Sequence, residues 1–167
     1  MTQFYKVSRK QFEKDCELIF GYPFHPDYDA LKQPARSTKN SAGYDIFSPY
    51  SFVLHPEDTM TVPTGFKIKM KPHQFLMIVP RSGLGFKYQL CLCNTVGIID
   101  ADYCDNQENE GHIMVKIVNR GKSAIPIDAG QAFCQGIVMS YDICDDDNVS
   151  SVRKGGLGST DNQEVSV

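Results

Sequence analysis

No apolar run in this sequence approaches the length of a membrane span, and the opening residues, MTQFYKVSRKQFEKD, are too charged for a secretory signal. An excess of positive charge is missing too, with 17 Lys and Arg against 20 Asp and Glu and a net charge of −3. A general nucleic-acid binder needs a basic face, so that class is set aside, while a locally basic pocket for a nucleotide stays open. Paired metal-ligand clusters are likewise absent. Cys16, Cys91, Cys93, Cys104, Cys134 and Cys144 are scattered, and the Cys91-Leu92-Cys93 triplet has no second cluster to complete a four-ligand zinc site. Nothing else reads as secreted, so the cysteines are expected as free thiols, Cys91 and Cys93 buried in a strand. The expectation is a cytoplasmic, soluble protein. Its 167 residues suffice for one core and are too few for two.

From Val53 onward the chain reads as short strands punctuated by Gly, Pro, Asn and Asp. The segments are 53–54, 60–62, 66–70, 75–79, 89–93, 113–118, 124–127 and 133–141, with clear alternation in KIKM and MVKIV. Many short strands and few helical windows indicate an all-β sandwich or barrel. Before them, Ser8 and Gln11 have the form of a capping box, and Phe12, Cys16, Ile19 and Phe20 share one helical face. A helix over 8–20, stopped at Gly21-Tyr22-Pro23 and packed outside the β core, is expected. The acidic stretch CDNQENEG at 104–111 reads as a solvent-exposed loop. Residues 1–141 then form one β domain with a helical insertion over 8–28, and the polar residues 142–167 a flexible arm.

Three segments carry chemistry. In PRSGLGFK, at 80–87, Arg81 can hold a phosphate with two parallel bonds and Ser82 adds a hydroxyl. Gly83 and Gly85 can free backbone N–H groups toward an anion, or simply make a turn. The spacing is not that of a P-loop. In NTVGIIDADY, at 94–103, an apolar run ends in Asp100, which is either a turn residue or a base positioned to activate water. In RKGGLGST, at 153–160, cations, hydroxyls and glycines are arranged as in a flap that closes on phosphate; taken alone, the segment equally fits a plain tail.

Taken together, SAGYDIFS at 41–48, PRSGLGFK, NTVGIIDADY, AGQAFCQGIV at 129–138 and RKGGLGST resemble the ordered motifs of the homotrimeric dUTPases. The resemblance runs from about Pro34 to Thr160. It implies a jelly-roll β subunit, a homotrimer with shared active sites, dUTP as substrate and Mg2+ as cofactor. On the matching positions, Asp100 would activate the attacking water, with Ser82 and Gln135 completing the catalytic set. Arg81 and Gly83 would hold phosphate, and Asn94, Gly97, Ile98 and Ile99 would read uracil. Tyr103 would pack on the deoxyribose, and Asp45 would support the magnesium through water. Arg153, Leu157, Gly158, Ser159 and Thr160 would close over the substrate from a neighbour's arm.

The chain departs from that pattern in four places. Leu157 stands where the family arm usually has Phe, and Arg153 is one residue closer to the glycines than in many relatives. The 104–111 loop and the stretch from Ser8 to about Tyr28 are insertions, which offer a surface to a protein partner that the sequence does not name. Two alternative functions remain. A related dCTP deaminase would place a catalytic glutamate where Val115-Lys116-Ile117-Val118-Asn119 has Lys116. A non-catalytic trimer that senses nucleotide or binds a partner would keep the fold without the chemistry.

Overall fold

The computed structural model describes residues 1–151, 153 and 155. Eleven short strands carry the fold. They are β1 (Gln3–Lys6), β2 (Tyr44–Phe47), β3 (Phe52–Leu54), β4 (Thr59–Pro63), β5 (Phe66–Lys69), β6 (Gln74–Pro80), β7 (Leu90–Leu92), β8 (Gly97–Asp100), β9 (Met114–Asn119), β10 (Ile125–Ile127) and β11 (Ala132–Ser140). Two helices, α1 (Arg9–Phe20) and α2 (Ser82–Tyr88), and a 3₁₀ turn over Ala101–Tyr103 complete it. All pairings are antiparallel: a four-stranded sheet β2-β11-β6-β8, a three-stranded sheet β4-β9-β7, and the pairs β1-β5 and β10-β3. The protein is all-β, as the pattern of short strands predicts, and of the jelly-roll type, as the resemblance implies. Period-two alternation puts Leu76, Ile78, Phe133, Ile46, Ile117 and Leu54 in one core.

Eight of the strands coincide with the segments read from the sequence, while β1, β2 and β8 do not. Each of these three is only four residues long and mixes polar with apolar side chains, so it has too few periods to stand out. The cysteine expectation also needs correction. Cys134 is buried, but Cys91 is half-buried and Cys93 exposed, because β7 ends at Leu92 and the chain turns there.

The N-terminal helix forms as expected. Ser8 caps it by accepting from the Gln11 amide (3.1 Å), and Gly21 ends it in the left-handed conformation (φ 71°) that glycine adopts without strain. The second half of the capping box is different. Gln11 turns to Asp15 (2.9 Å), and the Ser8 amide instead donates to Glu110, 2.9 Å away. The helix also seats a polar group inside. Asp15 is buried and meets His112 Nδ1 at 2.6 Å, while His112 Nε2 accepts from the Gly65 amide (2.8 Å). That acceptor role fixes the tautomer: the proton is on Nδ1 and is donated to Asp15.

The largest correction concerns 104–111. Asn106, Asn109 and Gly111 are buried, and the loop is held by its own side chains and by α1. Asparagine amides satisfied inside a fold and asparagines in water look alike in a sequence, which is why the stretch reads as solvated.

Candidate active site

The four-stranded sheet sorts the candidate residues. Its register aligns Asp45 with Gln135 and Gln135 with Val79, Met77 with Ile98, and Phe75 with Asp100. Leu76, Ile78, Cys134 and Gly136 on these strands are buried, so the alternate positions Asp45, Gln135, Met77, Ile98 and Asp100 lie on the opposite, outward face. A run of strands with a two-residue period therefore places four expected site residues, Asp45, Gln135, Ile98 and Asp100, on one surface.

At one end of this surface stand Asp45, Arg81 and Gln135. Asp45 Oδ2 accepts from the Ser37 hydroxyl at 2.8 Å and lies 3.5 Å from the Arg81 guanidinium. The Gln135 carboxamide lies over Gly43, where a Cβ would collide with it, and its Nε2 donates weakly to the Pro80 carbonyl (3.4 Å). Arg81 occupies the N-cap position of α2, and Ser82 and Gly83 form that helix's first turn. The expected glycine-freed loop is thus a short helix. Neither Gly83 nor Gly85 has a positive φ; Leu84 and Gly85 donate to the Arg81 carbonyl (3.0 Å each), and the amides that the helix leaves open to an anion are those of Ser82 and Gly83. Nothing lies within 4 Å of a Cβ placed on Gly83, so the approach is open.

Asn94 and β8 lead from this end to the other: Gly97 pairs with Ile78, three residues before Arg81, and Asp100 pairs with Phe75, with Tyr103 just beyond. Asn94 is exposed in the turn between β7 and β8, beside Thr95 in the left-handed conformation (φ 66°). Gly97 is packed against Ile78, where an added Cβ would come within 3.0 Å of the Ile78 Cβ, and Ile98 is 52% exposed. Ile99 leans on the core and Asp100 is exposed. Tyr103 is buried; its phenol donates to the His112 carbonyl (3.2 Å) and accepts from Asn109 Nδ2 (2.7 Å). Burial pushes that phenol above its usual value, against the opposing effect of the Asn109 bond. Arg153 donates to Asp100 (2.6 Å) and Asp102 (3.1 Å), and its guanidinium covers the Tyr103 ring 5.6 Å from the centroid.

The two ends are far apart. Asp100 pairs with Phe75, and Arg81 follows six residues along the same line, roughly 20 Å at the usual rise of a strand. Along this sheet one chain therefore sets Asp45, Arg81, Ser82, Gly83 and Gln135 at one end and Asp100, Tyr103 and Arg153 at the other, with Gly97, Ile98 and Ile99 between them and Asn94 in the turn before Gly97. It does not join the two sets. Leu157, Gly158, Ser159 and Thr160 lie outside the described residues. Ser37, Asp102 and Asn109 were not found from the sequence, since each acts only through a partner distant in the chain or ordinary in type.

A family model described as dUTPase matches residues 29–161. The chain belongs to the dUTPase family. A dUTPase relative from Lactococcus lactis, named deoxyuridine 5'-triphosphate nucleotidohydrolase, is 37% identical over 129 residues, 76% of this chain and 86% of the relative. One of the same name from Hahella chejuensis is 38% identical over 135 residues, covering 76% and 85%. Among solved structures, the dUTPase of Streptococcus mutans superposes with a TM-score of 0.66 at 29% identity, covering 86% of this chain and 98% of that one. A dUTPase of the S. aureus phage phi11, described with a structural Mg(II) ion, shares the fold at a TM-score of 0.64 and 18% identity, covering 90% and 97%. Residues 1–28, with β1 and α1, precede the matched stretch.

Proposed function

We propose that the protein hydrolyses dUTP to dUMP and pyrophosphate, with Asp100 activating the attacking water. The observation that carries this reading is the outward sheet face, which bears the Arg153-paired carboxylate of Asp100 at one end and an arginine, a glutamine and a helix N-terminus at the other, in a chain of the dUTPase family. Asp100 accepts a proton from water as the water oxygen bonds to the α-phosphorus. The bond from the α-phosphorus to the bridging oxygen breaks, and pyrophosphate leaves. Arg81, the Ser82 hydroxyl and Gln135 meet the charge that builds on the phosphate oxygens. Asn94 and the backbone from Gly97 to Ile99 face uracil, and Tyr103 the sugar. Arg153 shields Asp100 in the free chain and moves to phosphate when substrate enters, joined by Leu157, Gly158, Ser159 and Thr160.

The roughly 20 Å between the half-sites supports a homotrimer, in which a neighbouring copy sets its Arg81 end against this copy's Asp100 end. Exposed Ile98 and Met139 lie on that same face and suit burial against another copy. The donor set also fits magnesium. Asp45, beside Arg81, would support the cation from one side through water, and triphosphate oxygens and water would complete its shell. When bound there, Mg2+ would offset phosphate charge. Six thiols free of disulfides suit a cytoplasmic setting, and no helix among the described residues is long and apolar enough to cross a membrane. The deaminase alternative is not favoured, because Lys116 points outward from β9 and no carboxylate takes its place.

The test is pyrophosphate release from dUTP and from dCTP with magnesium, for the natural chain and for Asp100→Asn. Release from dUTP alone, reduced roughly 10²–10⁴-fold in the variant, is expected. A folded protein that leaves dUTP intact would refute the enzymatic reading.

A further inference from the structure

The loop 104–111 does more than cover surface. Asn109 Nδ2 donates to the Tyr103 phenol (2.7 Å), and its Oδ1 accepts from Asn106 Nδ2 (2.7 Å) and the Gly111 amide (3.0 Å). Those two donors settle which end of the amide faces the tyrosine. Asn106 in turn binds the Tyr103 carbonyl (2.9 Å) and accepts from the amides of Glu108 (3.0 Å) and Asn109 (3.1 Å). Gly111 must be glycine, since its φ is 82° and a Cβ would come within 2.7 Å of the Tyr103 carbonyl oxygen. The tyrosine is therefore gripped at its backbone and at its phenol by one loop.

That loop is anchored from outside the family-matched stretch. Glu110 accepts from the Ser8 amide (2.9 Å) and hydroxyl (2.6 Å), and Asp15 holds His112, whose carbonyl is the other partner of the phenol. Lys67 adds a further anchor, binding Asp105 at 2.6 Å and lying 3.6 Å from Glu110. The Arg153 guanidinium lies over the ring, 5.6 Å from its centroid.

We propose that Asn109 is a positioning residue for sugar selectivity, fixing the Tyr103 ring so that it accepts a 2′-deoxyribose and rejects a ribose. The inference rests on dUTP being the substrate. A ring free to tilt yields space to a 2′-hydroxyl; a ring whose hydroxyl is held by two hydrogen bonds does not. The N-terminal segment and the loop thus act together as a clamp on a residue that neither of them contains.

The experiment compares kcat/KM for dUTP and UTP, and the affinities of dUDP and UDP, in the natural chain, Asn109→Leu, Asn109→Asp, Tyr103→Phe and Tyr103→Phe/Asn109→Leu. Both Asn109 variants remove the donor to the phenol, and their dUTP:UTP ratio is expected to fall roughly five- to tenfold, mainly by gain of UTP binding. In the Tyr103→Phe background the second substitution should change the ratio no further. If Asn109→Leu does not fold, Asn109→Asp and the surface variant Ser8→Ala, which loosens Glu110, carry the same comparison. An unchanged ratio in folded variants, or effects that add in the double variant, would overturn the positioning role. A natural chain that neither cleaves dUTP nor binds dUDP overturns the substrate reading, and this inference with it.

Discussion

Tyr50 shows how a single atom can be set at a cost. It is 7% exposed, ringed by Phe20, Phe24 and Phe52, and its hydroxyl has no hydrogen-bond partner among the described residues. Burial first, and then the nearby Cys16, push that phenol well above its usual value, as expected of a group with nothing polar to meet. Removing an unsatisfied buried hydroxyl while keeping the ring should help the fold. Tyr50→Phe is expected to raise stability by about 1 kcal/mol, read as a higher urea midpoint at unchanged slope. A lower midpoint would mean that the hydroxyl has a partner in solution. Tyr103, by contrast, has both its phenol bonds made, so its phenylalanine variant should gain nothing of the kind.

Among elements, the joint between α1 and the 104–111 loop has a defined response to acid. The hydrogen bond from Lys67, outweighing a smaller burial penalty, holds the Asp105 carboxyl below the usual range. For Glu110, burial pushes upward, but the two bonds from Ser8 and the charge of Lys67 outweigh it and lower the carboxyl as well. Both folded values are depressed, so the stabilisation is present above the unfolded values and is lost as the pH falls through the folded ones, below roughly pH 4. Melting temperature should therefore fall more steeply from pH 6 to pH 3.5 in the natural chain than in Asp105→Asn/Glu110→Gln. Parallel curves would sever the joint from the acid response. This joint was also what the sequence hid. Ser8 could be read as a cap and Asp100 as the end of an apolar run, because each follows from its immediate neighbours. The Ser8–Glu110 and Asp15–His112 pairs span about a hundred positions, and no local pattern announces them. The helix α2 was missed for the opposite reason: its two glycines are locally better suited to a turn, and packing of Leu84 overrode that preference.

At the scale of the whole molecule, the separation of the half-sites makes activity a property of the assembly. Arg81→Ala and Asp100→Asn, each inactive alone, should restore activity when unfolded and refolded together. Random mixing gives about a quarter of the natural rate, since each site needs one intact residue from either of two copies. No recovery, with mixed trimers demonstrated, would place both residues in a site within one chain.

The register of the four-stranded sheet has a consequence for fidelity. Gln135 faces outward and its neighbour Gly136 faces the core, where a Cβ would come within 2.9 Å of Leu76. A slip of β11 by one residue against β6 would drive the carboxamide of Gln135 into the space kept clear for a glycine. Misfolded copies would then be silent rather than misdirected. The alignment that makes the sheet stable is the same one that admits a copy to work, so folding serves as its own inspection.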